Sequence, residues 1–270
     1  STATGTQSNA TGDYSTATGT QSKASGYAST ATGASSKATG KHSSAYGQNS
    51  WASGDNSSAF GTNTKASGHA STAVGYWAEA SGVSSIAIGH YAISSGGGSV
   101  AIGPSAVSSG IQSPATGYAA RATGDNSVAT GRNAEAVGVS ATAVGHSSHA
   151  GGSSSAAFGS QSDARASYST AIGSSSWATA EYSTSTGFNS RSTGESSTAT
   201  GANTQATGDY SSAFGSNSRS TGSQSTAVGG AANAEGPRST ALGMAAKATA
   251  YSCVALGAGS ECDEEETVSI

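Results

Sequence analysis

What this chain mostly lacks is the material of a globular core. Leu, Ile, Val and Phe together supply only 24 of its 270 residues, far below the roughly 20 % that marks the lower edge of ordinary globular composition. A shared hydrophobic core of one or two conventional domains is therefore excluded. Charge is equally scarce, at 10 % of residues with a net charge of −4, so disorder driven by self-repulsion is excluded as well. The slightly acidic balance leaves no basic stripe for nucleic acid. No run of about 20 apolar residues is present to cross a membrane as a helix, and no charged-then-apolar leader opens the chain.

What is present is a glycine on a grid. From Gly5 to Gly257 every seventh residue is Gly, except Ala166, Ala180 and Ala250. Off that grid lie only Gly97, Gly98, Gly151, Gly230 and Gly259. A fixed period held over a whole chain is the mark of a repeat architecture in which each unit stacks on its neighbours, and a flexible Gly/Ser/Ala linker has no reason to keep it. Ser1 enters in mid-repeat (Ser-Thr-Ala-Thr-Gly), which points to a fragment of something longer, with any targeting or anchoring segment outside it.

With Gly at position 7 of each heptad, position 5 is Ala except at Ser94, Ser108, Ser185, Ser192 and Ser220, and position 3 is mostly Ser. Small residues at 3 and 5, with variable ones at 4 and 6, are the period-two alternation of a strand of about five residues followed by a turn. Alternate heptads differ. In the set ending at Gly5, Gly19, Gly33 and onward, positions 4 and 6 carry no charge, and position 6 is often large and apolar: Phe60, Val74, Ile88, Ile102, Val144, Phe158, Ile172, Phe214, Val228, Leu242 and Leu256. Ile86, Val100 and Val128 add to this set at position 4. In the other set position 4 carries Lys23, Lys37, Lys65, Glu79, Arg121, Glu135, Asp163, Arg191, Arg219 and Lys247. The true repeat is thus 14 residues: two strands and two turns.

A 14-residue coil of this kind predicts an all-β flattened solenoid whose coils pair in parallel. Its interior is narrow enough to admit only Ala, and at position 3 a Ser that can bond the corner backbone. Ala buries little apolar surface, so a lone solenoid is marginal. The uncharged ladder of the first set is too long an apolar patch for a monomer to expose, and we read it as an oligomer interface closed by cyclic symmetry. The first-set glycines are never replaced, whereas all three alanines fall in the second set. The turn after the apolar strand is therefore expected to need φ > 0, or to leave no room for a Cβ.

The segments Ser85-Ile86-Ala87-Ile88-Gly89 and Ser99-Val100-Ala101-Ile102-Gly103, 14 residues apart with an intervening x-x-S-x-A-x-G, resemble the head repeats of trimeric autotransporter adhesins of the YadA type. The resemblance covers residues 1–260. The tail from Ala255-Leu256-Gly257 to Thr267-Val268-Ser269-Ile270 is similar to the start of that family's neck, placed at 261–270. The resemblance implies a left-handed parallel β-roll assembled as a homotrimer. It also implies a virulence-associated adhesin at the cell surface, on the outer membrane of a Gram-negative bacterium. Its partner would be a host-cell or extracellular-matrix protein or glycan, and its membrane anchor would lie outside this chain. Many first-set heptads here read Ser-Thr-Ala-Thr-Gly where the family pattern has Val and Ile, so the expected interface is wetter there.

No catalytic constellation, metal site or cofactor motif emerges. His146 and His149 are spaced His-x-x-His but lack a third ligand, and Asp263 to Glu266 lack the alternating spacing of a calcium loop. Of the ten tyrosines, all but Tyr46 fall at the corner positions 1 and 2. Tyr76, Trp77 and Tyr91, one coil apart, form a candidate contact patch, since exposed aromatics often carry interface energy; the alternative is that they lie flat over their own turns. An ice-binding solenoid is a second reading, on outward pairs such as Thr2/Thr4, Thr16/Thr18, Thr30/Thr32, Thr184/Thr186 and Thr198/Thr200, although Tyr46 and Phe60 interrupt the ladder. An acyltransferase of the left-handed helix type fits less well, because those repeats count in six. Cys253 at position 3 and Cys262 at position 5 of the next heptad should face each other across the interior, close enough for a disulfide; the alternative is two buried thiols.

Overall fold

In the computed structural model, which describes residues 1–270, the chain falls into two units, Ser1–Ala134 and Glu135–Ile270. Each is a parallel β-solenoid of 14-residue coils without a helix. Every coil contributes one three-residue strand, such as Ile86–Ile88 or Thr170–Ile172, and one two-residue strand, such as Lys65–Ala66 or Trp177–Ala178. Like pairs with like one coil on: Ile86 lies against Val100 and Ile88 against Ile102 on one side, Lys65 against Glu79 on the other.

The strands are shorter than the five residues expected, because the corners consume the rest. Most corners are four-residue turns closed by a position-3 N–H on the preceding position-7 carbonyl, as from Ser8 to Gly5 at 3.2 Å. On the short-strand side the ladder also stops early. Ser25 and Gly26 both donate to the carbonyl of Ala38, at 2.9 and 3.3 Å, so one acceptor serves two donors and regular pairing ends at position 5.

The interior is filled as the alternation requires. In each unit the fully buried apolar residues are almost all position-5 or position-3 alanines at 0 % exposure, such as Ala17 and Ala24 or Ala227 and Ala234. Most position-3 serines turn in and bond the corner carbonyl three residues back, as Ser15 Oγ does to Gly12 at 2.6 Å, while the hydroxyls of Ser57, Ser85, Ser127 and Ser211 are buried without a partner. Where position 5 is Ser instead of Ala, its hydroxyl meets that of the Ser five residues on: Ser94 with Ser99, Ser185 with Ser190, Ser192 with Ser197 and Ser220 with Ser225, all at 2.6 Å, and Ser108 with Ser113 at 2.7 Å. Each departure from Ala thus buys its burial with a hydrogen bond.

The two turns are not equivalent, as the glycine replacements implied. First-set glycines have φ between 123° and 140°, a region that an L side chain enters only under strain, whereas no second-set glycine has positive φ. Position 2 is a feature the sequence reading missed. At every corner from residue 7 to 266 it sits in the left-handed region, with non-glycine φ values of 50° to 60° at residues as varied as Asn49, Tyr91, Ala119 and Arg238. The corner stacks hold it there, because beyond the first coil most such N–H groups donate to the coil before, as from Gln21 to Thr6 at 2.9 Å.

Residues 261–270, expected to open a neck, extend the solenoid by one more rung on each side. Glu261–Cys262 pairs with Lys247–Ala248, and Val268–Ser269 with Val254–Ala255. The acidic run stays on the heptad grid: Glu264 occupies the glycine slot, and Glu266 is a position-2 residue with φ 56°.

Candidate binding surfaces

Three surfaces come forward from this scaffold. The first is the outward face of the three-residue strands. Within Ser1–Ala134 its position-6 column reads Thr4, Thr18, Thr32, Tyr46, Phe60, Val74, Ile88, Ile102, and within Glu135–Ile270 it begins Val144, Phe158, Ile172. Phe60, Ile88, Ile102, Phe158, Ile172, Phe214, Leu242 and Leu256 each remain 38–42 % exposed in the single chain. Val74, Val144 and Val228, and Ile86, Val100 and Val128 at position 4, are half-buried. The side chains pack along the column, with the rings of Tyr46 and Phe60 stacked 5.2 Å apart. No charge interrupts it, and its Thr rungs come in blocks, at Thr4 to Thr32, Thr116 and Thr130, and Thr186 and Thr200, that make it polar there.

On this face the ice-binding reading is not supported. Thr2/Thr4, Thr16/Thr18 and Thr30/Thr32 do stack in register, but the next rung is Ser44 and Tyr46. The pair Thr184/Thr186 over Thr198/Thr200 is bounded by Ile172 and Phe214.

The second surface is the corner patch. Tyr76, Trp77 and Tyr91 are brought together as expected, each between 46 and 48 % exposed, and His90 completes them into a two-by-two array. Tyr76 stacks on His90 with centroids 5.4 Å apart, and Trp77 on Tyr91 at 6.4 Å. Edge-to-face contacts of Tyr76 with Trp77 and with Tyr91, at 6.2 and 6.0 Å, cross-link the stacks. The rings therefore lean on one another from one coil to the next.

The third lies on the charged face, and sequence reasoning missed it. That face is mostly solvated, but Asp163 is only 8 % exposed. Its Oδ1 takes a 3.0 Å hydrogen bond from His149 Nδ1, and its Oδ2 takes one of 2.7 Å from Arg165 Nε. Burial alone would push the Asp163 carboxyl up; the bonds from His149 and Arg165 overcome that and hold it below the ordinary carboxylate range. The same bond from Asp163 holds the His149 imidazole above its ordinary value against the effect of burial. The enabling residue is Gly151, off the grid at position 6: a Cβ there would lie 2.8 Å from His149 Cε1. Gly151, and Arg165 where position 6 is usually Ser or Thr, were the available signals. His146, its partner in the His-x-x-His spacing, reaches only Ser147 Oγ at 3.5 Å.

The cysteines lie on facing walls of the interior, and the bridge expected between them is not formed in this structure: both are buried free thiols. Cys253 Sγ donates to the carbonyl of Cys262 at 3.1 Å, while Cys262 Sγ turns to Thr267 Oγ1, also at 3.1 Å. Burial, and then the adjacent Cys262 thiol, push the Cys253 thiol above its ordinary value.

A family model described as the YadA head domain repeat matches residues 1–22, 24–50, 38–64, 52–76, 66–92, 80–106, 94–118, 108–134, 136–162, 164–190, 192–218 and 220–246. Among solved structures, the crystal structure of the collagen-binding domain of the Yersinia adhesin YadA is similar at 20 % identity. That likeness covers 76 % of this chain and 68 % of the other, with a TM-score of 0.15. No curated protein matches the chain.

Proposed function

Because the chain belongs to the YadA head-repeat family, we propose that it is the non-enzymatic head of a trimeric surface adhesin. In this reading the uncharged ladders are covered by two further copies of the chain, and the charged faces and corners meet the host. The observation that carries it is the head repeat itself, matched in successive copies through residue 246 and built into coils whose alanine interior buries little on its own. The missing burial is then supplied between chains, where an apolar column about 40 % exposed at each large rung gives each partner a self-complementary surface.

The head would stand on the outer membrane of a Gram-negative bacterium, the last coil at 261–270 leading into a neck, with the anchor beyond it. Its target is a host-cell or matrix protein or glycan, and the aromatic array of Tyr76, Trp77, His90 and Tyr91 is the contact patch best built to supply hot-spot area. Solid-phase binding of the purified chain to immobilised collagen, fibronectin and laminin, and to cultured epithelial cells, tests the reading. Saturable binding to at least one surface is expected, and binding to none of them would refute it.

A further inference from the structure

An open groove of about 450 Å³ runs along the edge of the charged face, over Asp163. It arises because three successive rungs of the two-residue strands carry His149, Asp163 and Trp177. A short side chain between two rings leaves a notch, about two 4.8 Å coil spacings from ring to ring. The opposite wall is made of corner residues, Gln161, Ser175 and Asn189.

The chemistry of this lining is specific. Asp163 Oδ2 is held by both Nε and Nη2 of Arg165 at 2.7 Å, whereas Oδ1 accepts only from His149, which leaves Oδ1 a second acceptor site. Ser175 Oγ reaches Gln161 Oε1 at 3.5 Å, and Asn189 Nδ2 donates to Asn203 Oδ1 at 2.9 Å. The Gln161 NH₂ and the Asn189 carbonyl oxygen are thereby left without protein partners. Trp177 is 40 % exposed, and its indole is braced by the Arg191 guanidinium 4.6 Å from the ring centre.

Elimination narrows the ligand. A carboxylate in the floor repels sulfate or phosphate. The Arg165 guanidinium and the His149 ring already hold that carboxylate, so it is a poor ligand for a divalent ion. An apolar group would strand the carboxylate and the amides unpaired. What remains is a neutral polyol with one C–H face and several hydroxyls. We propose that the groove over Asp163 is a saccharide subsite: a neutral hexose lays its C–H face on Trp177, donates a hydroxyl to Asp163 Oδ1, and exchanges hydrogen bonds with Gln161 and Asn189. The cavity lies within the size range of small-ligand sites, and its openness suits a single weakly bound residue of a longer glycan. The subsite rests on the adhesive reading only for where such a glycan would come from.

Saturation-transfer NMR on the full chain tests it, with methyl α-D-mannopyranoside, methyl β-D-galactopyranoside and N-acetyl-D-glucosamine as probes and N-acetylneuraminic acid as the anionic control. At least one neutral sugar should show saturable transfer with Kd near ~1 mM, and the anionic sugar none. Trp177→Ala, on an exposed side chain, should weaken binding at least tenfold. So should Ser175→Tyr, which fills the groove at a corner conformation that Tyr91 and Tyr182 already adopt (φ 56° and 57°). Trp51→Ala, the same lattice position beside Lys37 and Lys65, should leave binding unchanged. No transfer from any neutral sugar, or equal binding by Trp177→Ala, overturns the subsite. Sugar binding without any matrix or cell binding would overturn the adhesive reading alone, and matrix binding without sugar transfer would overturn the subsite alone.

Discussion

Alanine placed at Gly89 and at Gly82 separates the two kinds of turn, and the structure makes the comparison quantitative. Contact distances alone would rank Gly82 as the worse site. A Cβ there would meet the Gly96 carbonyl oxygen at 2.1 Å, against 2.5 Å from a Cβ on Gly89 to the oxygen of Gly103. Backbone conformation ranks them the other way. Gly89 has φ 136°, which costs a non-glycine residue on the order of 1–3 kcal/mol. Rotating out of it would break the 2.9 Å bond from Gly89 N–H to the Val74 carbonyl. At Gly82 the clash can be relieved, since Ala166, Ala180 and Ala250 occupy the same slot. Gly82 N–H makes a long 3.4 Å bond to the Ser94 carbonyl, and the equivalent bond is missing at all three alanines and at Gly96, Gly152, Gly194 and Gly208 as well, so the corner does without it. A shift that gave it up would cost about 0.5–1 kcal/mol. Gly89→Ala should therefore destabilise by about 1 kcal/mol per chain more than Gly82→Ala, read from denaturant midpoints of the two variants. Equal shifts, or a larger one for Gly82→Ala, would refute the conformational argument and leave the clash as the governing term.

Three further expectations follow from named contacts. At the left-handed corners, Gly98→Ala meets only ordinary contact with Gln112 Cγ at 3.5 Å, so its melting loss should be confined to the roughly 1 kcal/mol of the conformation, while Ala119→Gly should lose nothing. His149 should titrate by NMR above 6.5; its stabilising pair with Asp163 is then fully present below that value and fades as pH rises through the raised pKa. The Asp163 part, with its lowered pKa, persists above 3.8 and is lost only as pH falls through the lower folded value; Asp163→Asn removes the bond that raises His149 and leaves burial to act, so the His149 titration should move down. Both thiols are buried at the same end of the interior, Cys253 Sγ against the Cys262 carbonyl, so protein recovered from an oxidising compartment should hold a Cys253–Cys262 bridge worth about 2–3 kcal/mol. Uptake of two thiol labels after denaturation without reductant would contradict this.

Much of the fold could be read from the glycine grid because a repeat states the same constraint many times. The alanine interior, the inward serines and the unequal turns all follow from which heptad position tolerates which residue. The left-handed position 2 escaped because its penalty is small enough for Asn, Ser, Tyr and Ala alike to bear, so composition there carries no strong signature. Strand length escaped because one carbonyl serving two donors, as Ala38 does, leaves no trace in residue type. Of the surfaces, the Tyr76, Trp77 and Tyr91 patch was visible as soon as the 14-residue register was set. The His149, Asp163 and Arg165 cluster needed that register together with the off-grid Gly151, which looks like noise until the imidazole is seen lying beside it.

The account turns on whether identical copies cover the apolar ladder of the three-residue strands. Sedimentation equilibrium of the purified chain, beside the double variant Ile88→Lys and Ile102→Lys and the pair Lys23→Thr and Lys37→Thr, tests this most directly. The intact chain and the charge-removed pair should have three times the mass of one chain. The double lysine variant, which would bury unpaired charge on adjacent rungs, should fall to a single chain. A monomeric wild type, or a lysine variant that still sediments as a trimer, would contradict it.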